Sequence, residues 1–433
     1  MKKLAAVLAF VSAGMGAMLF FRPKAPAAWA VYGPRLLAGA LAPFNAVMGV
    51  LAQVLGLLSG APLVALLGGW EAFAAGRYIR RMGMPHQGFE QAFGAGWEQK
   101  IPPERRADWL KGRRGWHLPQ VPQPRLEQDV PFAVPAGPGG PLLCDVWSPP
   151  VGVSASGLAF IYMHGGAWYL MDKDVGTRPL FRYLAAQGHV VMDVAYRMYP
   201  EVTLPVMVQD VFRAVAWMKE HASAYGVDPQ RIVLGGGSAG GHLALTAAYT
   251  AGDESLVPAE LAGRDLAVHG VVSFYGPADL RGILETAPRS GLFHPAGSRP
   301  AGESPLPRMM RGVNAARYQR YRTERLFQSI SFVDLLGVER EEAAVLAEKL
   351  SPVARLHPGC PPTLLLQGEG DMLVPAEMAR ALAAGLEQNG TPVVCVMLPQ
   401  TEHGFDLVLP AVSPCARAAL YDLERFLALL ACD

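Results

Sequence analysis

The sequence has no excess of charge of either sign and no cysteine framework. Its 433 residues include 38 Lys and Arg against 37 Asp and Glu, which leaves a formal net charge of +1. Nucleic-acid binding proteins usually carry a basic excess, so nucleic acid is not expected as a partner. The five cysteines are widely spaced and contain no C-x-x-C pattern, so we expect neither a disulfide framework nor a metal site. They are Cys144, Cys360, Cys395, Cys415 and Cys432, and we expect them to be small buried side chains.

Charge is also absent from two long stretches near the N-terminus. Residues 4–21 are uncharged and largely apolar, and residues 36–70 again contain no Asp, Glu, Lys or Arg. Because a helix of about 20 apolar residues crosses a bilayer, we predict a membrane hairpin within residues 1–75, with spans at about 4–21 and 40–69. Two alternatives remain: a signal peptide that is cleaved near Ala28–Ala30, and a hydrophobic cap packed on a soluble domain.

The basic residues that flank these stretches suggest an orientation. They are Lys2 and Lys3 before the first span, Arg77, Arg80, Arg81, Arg105 and Arg106 after the second, and only Arg22, Lys24 and Arg35 between them. The positive-inside rule then places both ends in the cytoplasm. We therefore predict a protein of the inner or plasma membrane whose main domain faces the cytoplasm.

From Val130 onward, short apolar runs alternate with longer helical patterns, whereas residues 76–129 have no clean period and are predicted to be a linker or cap region. The runs lie at 158–163, 189–195, 231–236, 270–276, 362–368 and 392–398, and the helical patterns at 178–187, 205–224, 239–250, 376–388 and 414–431. Continuous runs of Val, Ile and Leu are typical of strands that are buried on both faces. We therefore predict an α/β fold, with a mostly parallel sheet and helices on both faces.

One interval interrupts this alternation. Residues 282–350, approximately, separate two of the predicted strands and contain helical patterns of their own, which is more typical of a lid than of a structureless loop. The Arg-rich part at 309–327 is most simply interpreted as a solvated helix face.

The segment RIVLGGGSAGGHLAL, residues 231–245, places five glycines among seven residues between an apolar run and a helical pattern. It matches the dinucleotide-binding pattern G-x-G-x-x-G at residues 235–240 and the nucleophile pattern G-x-S-x-G around Ser238. A dinucleotide site needs an acidic residue at the end of a second strand about 20 positions on, and the sequence around Glu260 contains no such strand. The segment therefore favours a nucleophilic serine.

A serine nucleophile needs a base, an acid that orients the base, and donors for the oxyanion. His403, in PQTEHGFD, follows the last predicted strand and is the candidate base. Asp371, in LLLQGEGDMLVP, follows the preceding strand and is the candidate acid. Gly165 and Gly166, in YMHGGAW, and Ala239, directly after the serine, can offer backbone N–H groups as an oxyanion hole. The chain order of nucleophile, acid and base is the one expected for this kind of sheet.

Other polar residues near these motifs allow different assignments. Glu369 or Asp406 could supply the acid in place of Asp371, and the charge of Glu402 could tune the base. His242 is expected to pack near the start of the helix after the serine. His164 is expected to order the oxyanion loop rather than to transfer protons.

Five segments together resemble the α/β-hydrolase carboxylesterases of the hormone-sensitive-lipase and BD-FAE-like kind. They are IYMHGGAW, DVAYRMYPEVTLPVMVQDV, YGVDPQRIVLGGGSAGGHLAL, LLLQGEGDMLVPAEMARAL and TEHGF. The resemblance implies an α/β-hydrolase catalytic domain at 130–433 that needs no metal and no organic cofactor, and it implies a structural role for Asp210. The site residues that it implies are Ser238, Asp371 and His403 as the catalytic triad and Gly165, Gly166 and Ala239 as the oxyanion hole.

Two departures bear on the subfamily. Relatives of hormone-sensitive lipase usually have H-G-G-G and G-D-S-A-G-G, whereas Ala167 follows the two glycines here and Gly237 stands where the aspartate would be. The segments HGGAW and SAGGHLA look closer to BD-FAE-like esterases, to kynurenine formamidases and to isoprenylcysteine methylesterases. The last of these groups also has hydrophobic spans before its hydrolase domain.

The function that these observations favour is that of a membrane-bound serine hydrolase. We expect it to cleave carboxylic esters of small apolar or lipid-like molecules through an acyl-enzyme intermediate. Two alternatives remain: an amide or formamide hydrolase that uses the same triad, and a non-catalytic binding protein on a hydrolase scaffold.

Overall fold

The computed structural model describes residues 2–22, 28–115, 118–135, 140–290, 293–294 and 330–432. The predicted lid is therefore described only in part, and the Arg-rich stretch 309–327 lies outside the described residues. The strands are β1 Arg125–Ala133, β2 Leu142–Ser148, β3 Ala159–Met163, β4 Val190–Ala195, β5 Ile232–Gly237, β6 Gly270–Phe274, β7 Thr363–Gly368 and β8 Val393–Leu398. The α-helices are α1 Lys2–Phe20, α2 Ala28–Ala40, α3 Ala42–Leu58, α4 Pro62–Met82, α5 Gly88–Phe93, α6 Pro103–Ala107, α7 Arg178–Ala186, α8 Leu204–Tyr225, α9 Ala239–Tyr249, α10 Leu280–Ser290, α11 Phe332–Leu336, α12 Arg340–Lys349, α13 Ala376–Gln388 and α14 Pro414–Leu430.

In the described part of the chain, these strands form one sheet in the order β1-β2-β4-β3-β5-β6-β7-β8. The pairs β1–β2 and β2–β4 are antiparallel, and all the other neighbours are parallel. Strands β3, β5, β6 and β7 are buried along their whole length, as the continuous apolar runs predict. The predicted mostly parallel sheet is confirmed.

Helices cover both faces of the sheet, and successive side chains of one strand point alternately to the two faces. In β5, Ile232 and Leu234 belong to a hydrophobic core that α8, α9 and α13 cover. Val233, between them, belongs to a second core that α7 and α14 cover. This division follows from the alternation of side chains along a strand. It leaves the carboxyl ends of β3, β5, β7 and β8 at one edge of the sheet, where loops can carry a site.

The N-terminal region differs from the predicted hairpin because residues 40–69 are not one helix. Helix α3 ends at Leu58 and α4 begins at Pro62, and the turn between them contains Gly60 with a φ of 62°. Proline is tolerated in the first turn of a helix, so it favours a new start here rather than a bend. The two helices then pack closely: a Cβ on Gly68 would lie 2.5 Å from the backbone nitrogen of Gln53.

The N-terminal helices differ in whether their length and composition would allow them to cross a membrane. Among the described helices, α1 alone is long and apolar enough to cross a membrane as a single helix, and it equally fits a signal sequence. Helices α2 and α3 meet the same criteria only as a pair, which is bent by 80°. Large apolar side chains on α1, α3 and α4 face outward: Leu4, Val7, Phe10, Val11, Phe44, Val47, Val50, Leu51, Val54, Leu57, Leu58, Leu63, Leu66, Trp70 and Phe73.

The region predicted as a linker or cap is packed against the domain that contains the sheet. After α4, residues 83–115 form short helices and turns, and part of this region contacts the C-terminal helix α14. Arg113 pairs with the buried Asp422 at 2.9 Å, and the backbone N–H of Leu110 donates to Glu424 at 3.2 Å. The sequence of this region has no long helical period because its helices are short. Buried polar contacts hold the region against α14, so it is not an extended linker.

Candidate active site

Ser238 lies on the sharp turn between β5 and α9. Its backbone has φ 54° and ψ −119°, a conformation that is strained for any residue with a side chain. The turn is possible because its neighbours are glycines: a Cβ on Gly236 would lie 2.4 Å from the carbonyl carbon of Gly240, and one on Gly240 would lie 2.0 Å from the carbonyl oxygen of Met163. The end of β3 therefore approaches the serine as closely as the backbone allows.

His403 connects Ser238 to Asp371. Its Nε2 atom lies 2.8 Å from Ser238 Oγ, and its Nδ1 atom lies 2.8 Å from Asp371 Oδ2. With the neutral ring protonated on Nδ1, the imidazole donates to the carboxylate and accepts from the serine hydroxyl. This is the arrangement in which a serine can lose its proton to a base as it attacks. The structure thus brings together the three side chains that the sequence analysis selected from three separate loops.

Asp371 is held by more than the imidazole. Its Oδ1 atom accepts hydrogen bonds from the backbone N–H groups of Leu373 and Val374, both at 2.8 Å. Gln367 Nε2 donates to Oδ2 at 3.0 Å. These donors hold both carboxylate oxygens and fix the direction in which Oδ2 accepts from His403.

The two rival carboxylates make other contacts. Glu369 pairs with the partly exposed Arg380 at 3.5 Å. Asp406 accepts a hydrogen bond from the Tyr275 hydroxyl, and burial raises the pKa of Asp406 to about 6. The ring of Tyr275 in turn packs on His403, with a centroid separation of 4.5 Å. The geometry therefore favours Asp371 as the acid and places Asp406 behind an aromatic ring.

The predicted oxyanion residues surround the serine. A Cβ on Gly165 would lie 3.4 Å from Ser238 Cβ, so the Gly165 backbone runs beside the nucleophile. Gly166 has a φ of 122° and lines the same cavity as Ser238. Ala239 is the first residue of α9, where backbone N–H groups have no acceptor within the helix. Their role as oxyanion donors remains a prediction.

The other two histidines near the site have structural contacts. His164 stacks on Tyr196 at 4.5 Å between ring centroids, and the Tyr196 hydroxyl donates to the His164 carbonyl at 2.9 Å. His242 accepts from Trp168 Nε1 at 3.3 Å and lies 2.9 Å from the Leu350 carbonyl oxygen. Burial lowers the pKa of His242 to about 4, so this ring is neutral at physiological pH. Both sets of contacts agree with the expected ordering and packing roles.

Asp210 anchors two arginines. It pairs with Arg197 at 2.7 Å and with Arg213 at 2.8 Å, and its side chain is fully buried. These contacts fit the structural role that the resemblance implies. They also tie the Tyr-Arg motif after β4 to α8.

Helix α2 also contributes residues to the site, which was not predicted from the sequence. The Tyr32 hydroxyl donates to the His403 carbonyl at 3.0 Å, and Arg35 forms an ion pair with Glu402, the residue before His403. No motif marks these residues. The available signal was Arg35 itself, because it is the last charged residue before a long uncharged stretch.

A cavity of about 360 Å³ opens next to Ser238 and His403. Its wall is largely apolar and is drawn from α2, α10 and the loops after β3, β7 and β8. The apolar side chains that line it include Leu36, Leu37, Met171, Val175, Ile283, Phe293, Leu373, Val374, Leu407 and Val408. Such a wall accepts an apolar acyl or alkyl group and excludes water from the reacting atoms. Within the described residues, no cluster of three or more His, Cys, Asp or Glu could hold a metal ion.

Comparison with known proteins identifies the family. A family model for the alpha/beta hydrolase fold matches residues 160–407, which is more than half of the chain. The chain belongs to this α/β-hydrolase family. Esterase LipQ of Mycobacterium tuberculosis is 31% identical over 310 residues, which cover 71% of this chain and 65% of LipQ. LipM, a probable carboxylic ester hydrolase of the same organism, is 32% identical over 286 residues, which cover 66% of this chain and 57% of LipM.

The chain therefore matches less than two thirds of the length of these α/β-hydrolase relatives. Among solved structures, the apo form of Thermogutta terrifontis esterase 2 covers 70% of this chain and 93% of its own, with 23% identity and a TM-score of 0.49. The predicted family and fold class are confirmed by the family match and by the sheet described above.

Proposed function

We propose that this α/β hydrolase is a membrane-anchored serine esterase. In this proposal it cleaves carboxylic esters of small apolar or lipid-like molecules through an acyl-enzyme. The observation that carries the proposal is the hydrogen-bonded array of Ser238, His403 and Asp371 beside an apolar cavity. The names of the two mycobacterial relatives, an esterase and a probable carboxylic ester hydrolase, support the same reaction class.

Acylation begins when Ser238 Oγ attacks the ester carbonyl and His403 Nε2 takes the hydroxyl proton. The oxyanion that forms is held by the backbone N–H groups of Gly165, Gly166 and Ala239. The intermediate then collapses, the bond to the leaving oxygen breaks, and the alcohol departs with the proton from His403. Asp371 keeps the ring oriented and stabilises its cationic form throughout.

Deacylation repeats the sequence with water as the nucleophile. His403 takes a proton from the water as its oxygen attacks the acyl carbon, and the oxyanion occupies the same donors. The bond to Ser238 Oγ breaks, the serine recovers its proton from His403, and the acid leaves. The residues of this chain therefore supply every proton transfer.

The substrate class and location rest on the cavity and on the N-terminal helices. Leu36 and Leu37 line the cavity, and Leu37 is also 42% exposed at the outer surface. Outward apolar side chains on α1, α3 and α4 fit a hydrocarbon environment better than water. In this proposal residues 1–75 anchor the protein in the inner or plasma membrane, and the insertion at about 282–350 acts as the lid.

Arg22 and Arg35 contact the loop after β7, so both arginines and the catalytic domain at 130–433 lie on the same side of the membrane. The predicted hairpin with two spans and both ends in the cytoplasm would place them on opposite sides and does not fit these contacts, and the cytoplasmic orientation of the domain stays a prediction.

A comparison of matched ester and anilide substrates tests the reaction class. We expect detergent-solubilised protein to have a higher kcat/KM on p-nitrophenyl butyrate than on butyric p-nitroanilide, which differs from it only in the atom of the scissile bond, because the names of the relatives indicate esters. A preference for the anilide would contradict the proposed substrate class. For location, the protein should remain in the membrane pellet after carbonate extraction, and release into the supernatant would contradict an integral anchor.

A further inference from the structure

Arg35 connects α2 to both loops that carry the acid and the base. Its Nη2 atom donates to the carbonyl oxygen of Gly370, the residue before Asp371, at 3.3 Å. Its Nη1 atom forms an ion pair with Glu402, the residue before His403. The Arg35 and Glu402 side chains are only 4% and 2% exposed, so water screens this pair weakly.

Glu402 in turn connects the same two loops to each other. Its Oε1 atom accepts from the backbone N–H of Met372 at 2.7 Å, directly after Asp371, and from the N–H of His403 at 3.2 Å. One carboxylate and one guanidinium therefore cross-link the loop after β7 to the loop after β8. Tyr32, one turn before Arg35, adds its hydrogen bond to the His403 carbonyl.

We propose that Arg35 is a positioning residue for the hydrolase reaction, which holds the Asp371 and His403 loops in register through Glu402. Helix α2 is then part of the active site and not only an anchor. This inference rests on the proposed esterase function. It goes beyond the triad, because Arg35 contacts neither Ser238 nor the ring of His403 and acts through its contacts with the two loops.

Removal of Arg35 should have an effect that depends on pH. The charged or titratable groups that face Glu402 are Arg35 and Tyr32 from α2, Asp371 from the loop after β7, and His403 beside it. Burial raises the pKa of Glu402 to about 7, Arg35 opposes that rise, and the negative charge of Asp371 adds to it. Without Arg35, the pKa of Glu402 must rise further.

The raised pKa of Glu402 determines the pH range in which Arg35→Met loses activity. In Arg35→Met, Glu402 is neutral at acidic pH and can stay buried between the loops. As the pH rises through its elevated pKa, the carboxyl ionises without a counter-ion and is driven toward water, which separates the loops. The loss of activity should therefore grow as the pH increases.

The test compares wild type with Arg35→Met, Glu402→Gln, the double variant and Arg35→Lys. For each protein, kcat/KM on p-nitrophenyl butyrate and the rate of Ser238 labelling by a fluorophosphonate are measured from about pH 6 to about pH 9, a range that brackets the pKa of Glu402. We expect Arg35→Met to lose activity progressively, by about tenfold more at the alkaline end than at the acidic end. The double variant should recover a wild-type pH profile, because glutamine is neutral at every pH.

Arg77→Met is the matched control, since Arg77 lies on the exposed face of α4. It should leave both rates unchanged. A loss in Arg35→Met that is equally large at every pH, and equally large in the double variant, would overturn the proposal in favour of simple packing. Unchanged rates in Arg35→Met would also overturn it.

Two readouts separate this inference from the proposed function. If wild type labels with the fluorophosphonate but cleaves no ester, the substrate assignment fails while the labelling rates still test Arg35. If Arg35→Met does not fold, Arg35→Lys keeps the charge but lacks the fork that reaches both Gly370 and Glu402. A labelling rate for Arg35→Lys equal to that of wild type would then overturn the proposal.

Discussion

Substitution of Gly240 by alanine should lower the activity strongly although it changes no residue of the triad. A Cβ at this position would lie 2.0 Å from the carbonyl oxygen of Met163, 2.5 Å from its carbonyl carbon and 2.6 Å from the carbonyl oxygen of His164. Real Cβ atoms essentially never come closer than 3.0 Å, so α9 and the end of β3 must move apart by at least about 1 Å. All three atoms belong to the backbone and cannot rotate away.

The displaced segment leads directly into Gly165 and Gly166, the proposed oxyanion donors. A misplacement of about 1 Å costs on the order of 100-fold in rate, and overpacking of this kind costs about 1–3 kcal/mol of stability. We therefore expect kcat for p-nitrophenyl butyrate to fall by about two orders of magnitude in Gly240→Ala, with a lowered melting temperature.

Gly252→Ala is the matched control because nothing lies within 4 Å of a Cβ built there. Its kcat and melting temperature should stay close to those of wild type. If Gly240→Ala kept wild-type kcat, the close approach of β3 to the serine turn would have no catalytic meaning, and the oxyanion assignment would lose its geometric basis.

Two further predictions concern the acid and the C-terminal helix. Asp371→Asn should lower kcat by about four orders of magnitude, because the amide favours the wrong tautomer of His403, and a loss below about tenfold would argue against this acid. Burial raises the pKa of Glu424 from 4.5 to about 7, so the folded state binds a proton there more tightly than the unfolded chain does. Protonated Glu424 therefore adds to the free energy of unfolding, fully below about pH 4.5 and progressively less as the pH rises to about 7. At about 1.4 kcal/mol per pKa unit, the loss over this interval is roughly 3 kcal/mol. Melting curves of Glu424→Gln should therefore change less with pH over that interval, and an unchanged pH dependence would show that another group controls it.

The catalytic domain was largely predictable because its signals are local. Strands buried on both faces require continuous apolar runs, and those runs located β3 to β8. The turn around Ser238 requires glycine at several adjacent positions, which makes it visible in the sequence. His403 and Asp371 were identified because functional loops follow the carboxyl ends of parallel strands.

The N-terminal region was less predictable because its contacts are distant in sequence. An uncharged stretch such as residues 36–70 can form one long apolar helix or two shorter ones, and its composition does not distinguish them. The turn between α3 and α4 was therefore not predicted. The ion pair between Arg35 and Glu402 joins residues far apart in the chain, and no local pattern encodes it. The same holds for Asp422 and Glu424, whose partners lie in the region 83–115 that looked like a linker.

The structure gives a physical reason for glycine at position 237, where relatives of hormone-sensitive lipase usually have an aspartate. A Cβ at this position would lie 3.1 Å from the Tyr162 hydroxyl and 3.2 Å from the Tyr275 hydroxyl. The space where hormone-sensitive-lipase relatives carry an aspartate is thus next to two phenols. Tyr275 also packs on His403, so a side chain at 237 would crowd the residue whose ring contacts the base.

The most direct test of the proposed esterase is the hydrolysis of p-nitrophenyl esters from acetate to palmitate by wild type and by Ser238→Ala. Both proteins should be purified in the same detergent and shown to have the same melting behaviour. We predict that wild type cleaves the esters with a preference set by the apolar cavity, and that the variant loses the activity entirely. Equal rates in the two proteins, or no hydrolysis of any ester by folded wild type, would contradict the account.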